Sequence, residues 1–293
     1  MSTANAERTA PLALAPAMRW AEHSRGAQND PVYALNSRSP SCYNQNLPMR
    51  SELITQWKRD EAAVFEGWDF SYIRERCLEE QPNWDYPALA KQRIQNSGSV
   101  LDIATGGGEL FSSLAPFPFL TVAIEGYRPN VPVARKKLEP LGVRVLAANT
   151  DLPFKGNTFD LVLNRHGALN VAEIYRVLKD SGHVLTQQVG GGNLIELMDF
   201  FDVKPKWTDN VLSVQRQRVL DRGFQIERAQ DWRGKARFLD VGAVAYFLKA
   251  IPWIVDGFSV ASHLKYLEKL QETLAREGTL EFTYSRFLIA ARK

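Results

Sequence analysis

The amino-acid sequence predicts an α/β fold: a parallel sheet, doubly wound by helices on both faces, with a helical extension on its N-terminal side. Three observations carry this. The stretch Val100-Leu101-Asp102-Ile103-Ala104-Thr105-Gly106-Gly107-Gly108-Glu109-Leu110 runs from an apolar segment through three glycines into an amphipathic one, which reads as strand, tight turn and helix start. Further apolar runs at Phe119–Ile124, Val143–Ala148 and Phe159–Asn164 alternate with helical patterns, the order that builds parallel sheets. The first of these runs into Glu125, and an acid at that place can accept hydrogen bonds from both hydroxyls of a ribose.

Ahead of the sheet, residues 1–50 read as a tail and an irregular extension. They are rich in Ala, Thr, Pro, Asn and Ser and lack a sustained period, and Pro11–Pro16 is too short and proline-bounded for a signal-peptide core. Tyr33, Tyr43 and Pro48 fall in a stretch that reads as a loop draped on the domain or as a lid. Residues 51–96 form a helical or lid segment. Its first helix spans 51–66, capped by Ser51 and ended by Gly67. The aromatic cluster Phe65-Glu66-Gly67-Trp68-Asp69-Phe70-Ser71-Tyr72 follows, and it can wall a pocket or anchor the helices on the sheet. The main domain spans 97–293.

Within that domain the glycine spacing separates two ligands. A dinucleotide fingerprint wants G-x-G-x-x-G; Gly106 and Gly108 fit its first two places, but Phe111 stands at the third. The stretch instead resembles motif I of the class I S-adenosylmethionine-dependent methyltransferases, with Asp102, Ala104, Gly106 and Gly108 in the places of its acid and small residues. Asn149-Thr150-Asp151-Leu152-Pro153-Phe154, the polar hairpin after it and Phe159-Asp160 resemble the Leu-Pro-Phe turn and following strand of the methyltransferase type 11 group. Ala172–Leu178, a Lys179-Asp180-Ser181-Gly182 stop with glycine at the C′ position, and a strand from His183 resemble that group's next helix, turn and fifth strand. The resemblance covers about residues 97–190. It implies a Rossmann-like seven-stranded methyltransferase sheet flanked by helices, closed by an antiparallel hairpin.

The resemblance also implies a cofactor, S-adenosyl-L-methionine, and a set of residues near it. These are Asp102, Ala104, Thr105, Gly106 and Gly108 in the turn, Glu125 and Gly126 after the second strand, and Asn149, Thr150 and Asp151 after the third. Asn164 and Arg165 end the fourth. The group usually carries an Asp where Ala148 stands, so adenine recognition passes to Asn149, Thr150 or Asp151. His166, at the fourth strand's carboxyl end, is the candidate base, since imidazole titrates near neutrality. One of Gln187 and Gln188 should face the active edge. Gly190-Gly191-Gly192 approaches substrate or forms a hinge.

After the fifth strand the patterning predicts helices at 194–201, 211–222, 241–250 and 263–276, and strands at 224–228, 236–239, 279–284 and 287–291, with a bulge between the last two.

Composition narrows the partners. The chain has 293 residues, a formal charge of +3 and no Lys/Arg-rich run, which points away from nucleic acid. No apolar run approaches the roughly 18 residues of a membrane span. Two cysteines, Cys42 and Cys77, and four scattered histidines suggest reduced thiols, a cytoplasmic setting and no metal. The expected activity is methyl transfer to an O, N or C nucleophile of a small molecule, with a secondary-metabolic role in view. The alternatives are a protein of the same fold that binds the cofactor but catalyses another reaction or only binds, and, against Phe111, a nicotinamide oxidoreductase.

Overall fold

A computed structural model describes residues 49–293. The readings made for residues 1–48, including the draped loop and Cys42, lie outside them. Helix α1 (Arg50–Glu61) starts one residue before its expected cap: Met49 takes the cap position, and the Glu52 carboxylate accepts from Met49 N at 2.9 Å. It stops at Glu61 instead of reaching Gly67, which turns the chain with φ +62°. A single turn at Ser71–Ile73 leads to β1 (Cys77–Glu79). Helix α2 (Tyr86–Gln95) is opened by Asp85, whose carboxylate accepts from Ala88 N at 2.9 Å, with Pro87 in its first turn.

The sheet then builds in order: β2 (Ser99–Ile103), α3 (Glu109–Ser112), β3 (Leu120–Glu125), α4 (Asn130–Leu138), β4 (Arg144–Ala147), β5 (Phe159–Arg165), α5 (Val171–Val177) and β6 (Leu178–Val189). It continues with α6 (Ile195–Phe200), α7 (Leu212–Asp221), β7 (Gln225–Phe238), α8 (Val241–Ala250), α9 (Leu264–Glu277) and β8 (Leu280–Arg292). The strand order is β1-β7-β8-β6-β5-β2-β3-β4. Strands β4, β3, β2, β5 and β6 are parallel, and β8 runs antiparallel between β6 and β7.

The expected α/β architecture is present, with three local differences. The sheet has an eighth strand: β1 comes from the segment read as helical and pairs antiparallel with β7, Cys77 opposite Phe238 and Glu79 opposite Ala236. Three residues are too few to show an alternation in sequence. Helix α5 ends at Val177, and Ser181, not Gly182, takes positive φ. The carbonyls of Arg176 and Val177 accept from Asn157 N and Thr158 N, and Leu178 pairs with Phe159, so the chain enters the sheet directly. The segments 279–284 and 287–291 are one strand, β8, with no bulge at Ser285-Arg286, and 224–228 and 236–239 likewise fuse into β7.

Strand alternation divides the core. Val100, Leu161, Leu163, Leu185 and Leu288 pack under Trp84 and Tyr86 on one face, and Leu101, Ile103, Val162 and Ile289 pack against Ile174, Val219 and Phe224 on the other. A third cluster gathers α1, α6, α8 and α9 over the β7–β8 end. In α8 every residue but Lys249 is buried, the pattern of a helix enclosed on all sides. Each large side chain buried there is worth about 1.5–3 kcal/mol.

Candidate active site

The glycine turn leaves β2 at Asp102. Gly106 (φ +64°) and Gly108 (φ +81°) take the left-handed conformation, and so does Ala104 (φ 60°), a strain the sequence did not announce. Glu125, at the end of β3, clamps this turn: its Oε2 accepts from Gly106 N at 2.7 Å and its Oε1 from Tyr127 N at 2.6 Å. Burial raises the Glu125 pKa, and the N–H groups of Tyr127, Gly106 and Gly126 oppose that rise. A carboxylate offers about four lone-pair sites, so at least one remains for a hydroxyl beyond these N–H groups. Asp102 is also buried. Desolvation, with the Glu125 charge adding to it, pushes its pKa up to about 7, against the Thr105 hydroxyl and Arg165, which pull it down.

Beyond Glu125 the exposed Asn149 lies against Gly126, its Oδ1 3.3 Å from where a Cβ on that glycine would stand. Asp151 is exposed, and Thr150 lines the neighbouring cavity.

The N-terminal segment crosses the turn. A Cβ at Gly106 would fall 2.2 Å from Trp68 Cδ1, and one at Gly67 would meet the Glu109 carboxylate. Trp68 packs in turn on Trp253, with ring centroids 5.6 Å apart, and on Phe65 at 5.8 Å. The aromatic cluster thus serves both expected purposes. Trp68 fastens the extension onto the glycine turn, and Phe70 reaches a pocket wall.

That pocket is a cavity of about 380 Å³ at the carboxyl ends of β5 and β6 and the amino half of the antiparallel β8. Its apolar wall includes Leu194, Met198, Phe247, Ile251 and Trp253, and its polar wall Glu79, Gln188, Asn193, Tyr284 and Arg286. Gly167 joins it to the glycine turn, since a Cβ there would lie 2.7 Å from Ala104 Cβ. Gly190 and Gly191 also line it, and a Cβ on Gly191 would fall 2.4 Å from the Trp207 carbonyl oxygen. Of the glutamine pair, Gln188 faces this cavity and bonds Asn164 Oδ1 and Thr186 Oγ1.

Asn164 itself is wholly buried, also accepting from Thr186 Oγ1 at 3.1 Å. Arg165 is buried on the opposite face, its guanidinium 5.7 Å from the Tyr86 ring centroid, between Asp102 and the Glu79–Arg286 group. Both strand-end residues adjoin the glycine turn from opposite faces: a Cβ on Gly167 would meet Asn164 Nδ2 at 2.6 Å beside Ala104, and Arg165 faces Asp102. Sequence reasoning missed Glu79, Tyr284 and Arg286. A charged residue inside the otherwise apolar run Phe282–Ala291 was the available signal.

His166 is fully buried and lies outside the cavity wall. Gln187 Oε1 accepts from Trp84 Nε1 at 2.7 Å, and Gln187 Nε2 lies 3.0 Å from His166 Nε2. Indole can only donate, so the amide's oxygen faces Trp84 and its NH₂ faces the imidazole. His166 Nε2 therefore accepts, and the ring carries its proton on Nδ1. The Nε2 lone pair is already used, which tells against the expected role of general base.

The remaining candidates are structural in placement. His183 Nδ1 lies 3.2 Å from Glu227 at the amino edge, and His263 packs among Phe201, Phe258 and Tyr266. Tyr175 and Lys179 have the four-residue spacing of an oxidoreductase dyad. However, Tyr175 packs edge-on to Phe224 and Lys179 bonds Asp160, at the end of the sheet away from the glycine turn. Among the described residues no group of three or more His, Cys, Asp or Glu side chains is placed to hold a metal ion, and no helix is long and apolar enough to cross a membrane.

Comparison with known proteins agrees with this geometry. Residues 101–186, from β2 to the middle of β6, match a family described as a methyltransferase domain. The chain is 31% identical over 120 residues to the ubiquinone/menaquinone biosynthesis C-methyltransferase UbiE of Pseudoalteromonas translucida (strain TAC 125). That match takes in 35% of this chain and 47% of the relative, so the chain spans about half the length of the curated relative it matches. A protein from Bacillus halodurans C-125 assigned as a methyltransferase shares the fold with a TM-score of 0.52 at 22% identity, over 71% of this chain and 98% of that one. The motif order, the matched segment and the strand order agree: residues 101–186 are similar to a methyltransferase domain, carried on a methyltransferase-like α/β fold.

Proposed function

We propose that the chain transfers a methyl group from S-adenosylmethionine to a small molecule held in the 380 Å³ cavity. The observation that carries this reading is the junction of two sites: Gly167, in the cavity wall, packs on Ala104 of the glycine turn. The residues present fit the cofactor. Glu125 keeps at least one lone pair for the ribose hydroxyls beside an open-sided Gly126, Asn149 stands where adenine would be read, and Asp102 with the Ala104–Gly108 turn would hold the amino-acid end. When bound, the sulfonium supplies an already activated methyl group, so the protein's work is alignment in a dry site.

This chain's residues divide that work. Trp68 and Trp253 roof the turn, Phe70, Phe247 and Ile251 exclude water from the acceptor, and Gln188 and Asn193 offer polar contacts that orient it. The cavity lies within the size range of small-molecule sites. His166 sets the end of β5 through Gln187 and Trp84, as a positioning residue.

Isothermal titration with S-adenosylmethionine and S-adenosylhomocysteine, with NAD as control, tests the reading. Both sulfur compounds should bind, Gly106→Arg should abolish binding because no side chain fits beneath Trp68, and Glu125→Ala should weaken it. Failure of both to bind, or preferential binding of NAD, overturns the proposal.

A further inference from the structure

The cavity's polar wall carries unmatched positive charge. Arg286 is 4% exposed, and its Nε is buried without a hydrogen-bond partner among the described residues. Its Nη1 bonds only Asn193 Oδ1 and the Ser285 carbonyl, both neutral, and its guanidinium stacks 3.6 Å from the Tyr284 ring centroid. Behind it, Arg165 is 8% exposed with Nε and Nη1 likewise unpartnered. Neither guanidinium forms an ion pair among the described residues.

Glu79 faces both guanidiniums from β1, with Oε1 buried and unpartnered among the described residues, and Asp102 lies on the far side of Arg165. Desolvation raises its pKa and favours its neutral form, opposed by Arg286, a hydrogen bond from Tyr284, and Arg165. Buried guanidinium N–H groups left unmade are costly, and planar carboxylates satisfy them best. The apolar wall is formed by Phe70, Leu194, Met198, Phe247, Ile251 and Trp253, while of the lining's other cations Lys206 pairs with Asp256 and Arg218 with Asp209.

Taking the cavity as the acceptor's half of the proposed reaction, we infer that it binds an apolar molecule bearing a carboxylate, which docks on Arg286 with Arg165 behind it. Glu79 competes for the same guanidinium when the site is empty and sets how strongly the acid is preferred. The carboxylate has two possible sources, the acceptor and the amino-acid end of the cofactor, and the two give different patterns of loss.

The test uses the full chain and a matched pair of probes, naphthylacetate and its neutral amide naphthylacetamide, titrated with and without S-adenosylhomocysteine. The acid should bind about tenfold or more tightly than the amide, the range expected for a hydrogen bond to a charged partner. Arg286→Gln should erase that preference, while Glu79→Gln, which keeps the side chain's shape, should increase it. Equal binding of acid and amide, binding of neither at millimolar concentration, or a preference that survives Arg286→Gln overturns the inference. So does loss of S-adenosylhomocysteine binding in Arg286→Gln with naphthylacetate unchanged, which would assign the arginine to the cofactor. Should Arg286→Gln fail to fold, the Glu79→Gln arm decides by its direction: a weaker or unchanged acid preference overturns the inference. Binding of S-adenosylhomocysteine without acid preference sinks this inference alone, whereas its absence sinks the cofactor reading whatever the acid does.

Discussion

Substituting Gly106 by alanine separates backbone strain from steric contact at the place where the N-terminal segment meets the glycine turn. Two costs add. At φ +64° an L-residue pays about 1–2 kcal/mol for the left-handed conformation. The new methyl also arrives 2.2 Å from Trp68 Cδ1 and 3.0 Å from its Nε1, so the indole must move, and overpacking of this kind costs about 1–3 kcal/mol. Gly106→Ala should therefore lose about 2–5 kcal/mol in urea unfolding, summing those two ranges. In a Trp68→Ala background the methyl meets open space and the same substitution should lose only the backbone share, about 1–2 kcal/mol. Equal losses in both backgrounds would show that Trp68 does not rest on Gly106 and would refute the roofed turn.

Three other outcomes follow from the structure. Asp60, wholly buried, accepts from Tyr72 OH at 2.7 Å, Gln56 Nε2 at 3.1 Å and Arg76 Nη2 at 3.1 Å, so Asp60→Ala should lower stability by about 3 kcal/mol in denaturant unfolding; a loss within experimental error would contradict the pairing. Asp102 titrates near 3.8 when free and about 7 when folded, so the folded chain holds an extra proton between those values. Its contribution to stability falls as pH rises through that window, by at most about 1.4 kcal/mol per unit, and levels off above it; unfolding midpoints of Asp102→Asn should lack this segment, and an unchanged pH slope would argue against the burial effect. If S-adenosylmethionine turnover is established with an acceptor, His166→Asn should lower the rate without moving the pH–rate profile, whereas loss of an acidic limb near neutrality would restore the imidazole as base.

Much of the sheet was legible because its strands obey long-range patterns. Val100–Ile103, Leu120–Glu125 and Phe159–Asn164 are mostly apolar, as buried parallel strands are, and the glycines after the first mark the turn. What escaped was set by tertiary contact. Cys77–Glu79 is a strand only because β7 pairs with it, and Leu178 leaves helical geometry because Phe159 captures it. Glu125 and Gly106 could be read together from spacing and family pattern. Glu79, Tyr284 and Arg286 come from strands far apart in sequence and meet only once β1, β7 and β8 are assembled. His166 sits where strand position suggested, but its donor and acceptor pattern depends on Trp84, which no local reading connects to it.

The three-residue length of β1 matters for how the sheet ends. It covers β7 only from Ala236 to Phe238, with Glu80 still bonding Lys235, so among the described residues the strand from Gln225 to Gly234 has no strand partner on its outer side. An open edge of that length is a template for pairing with another chain. Glu227, Arg228, Asp231, Arg233 and Lys235 place a charge at nearly every second position along it, and Arg93 and His183 tie down Glu227. These charges act as gatekeepers against edge-to-edge assembly, so neutralising them together should promote self-association even though none touches the glycine turn or the cavity.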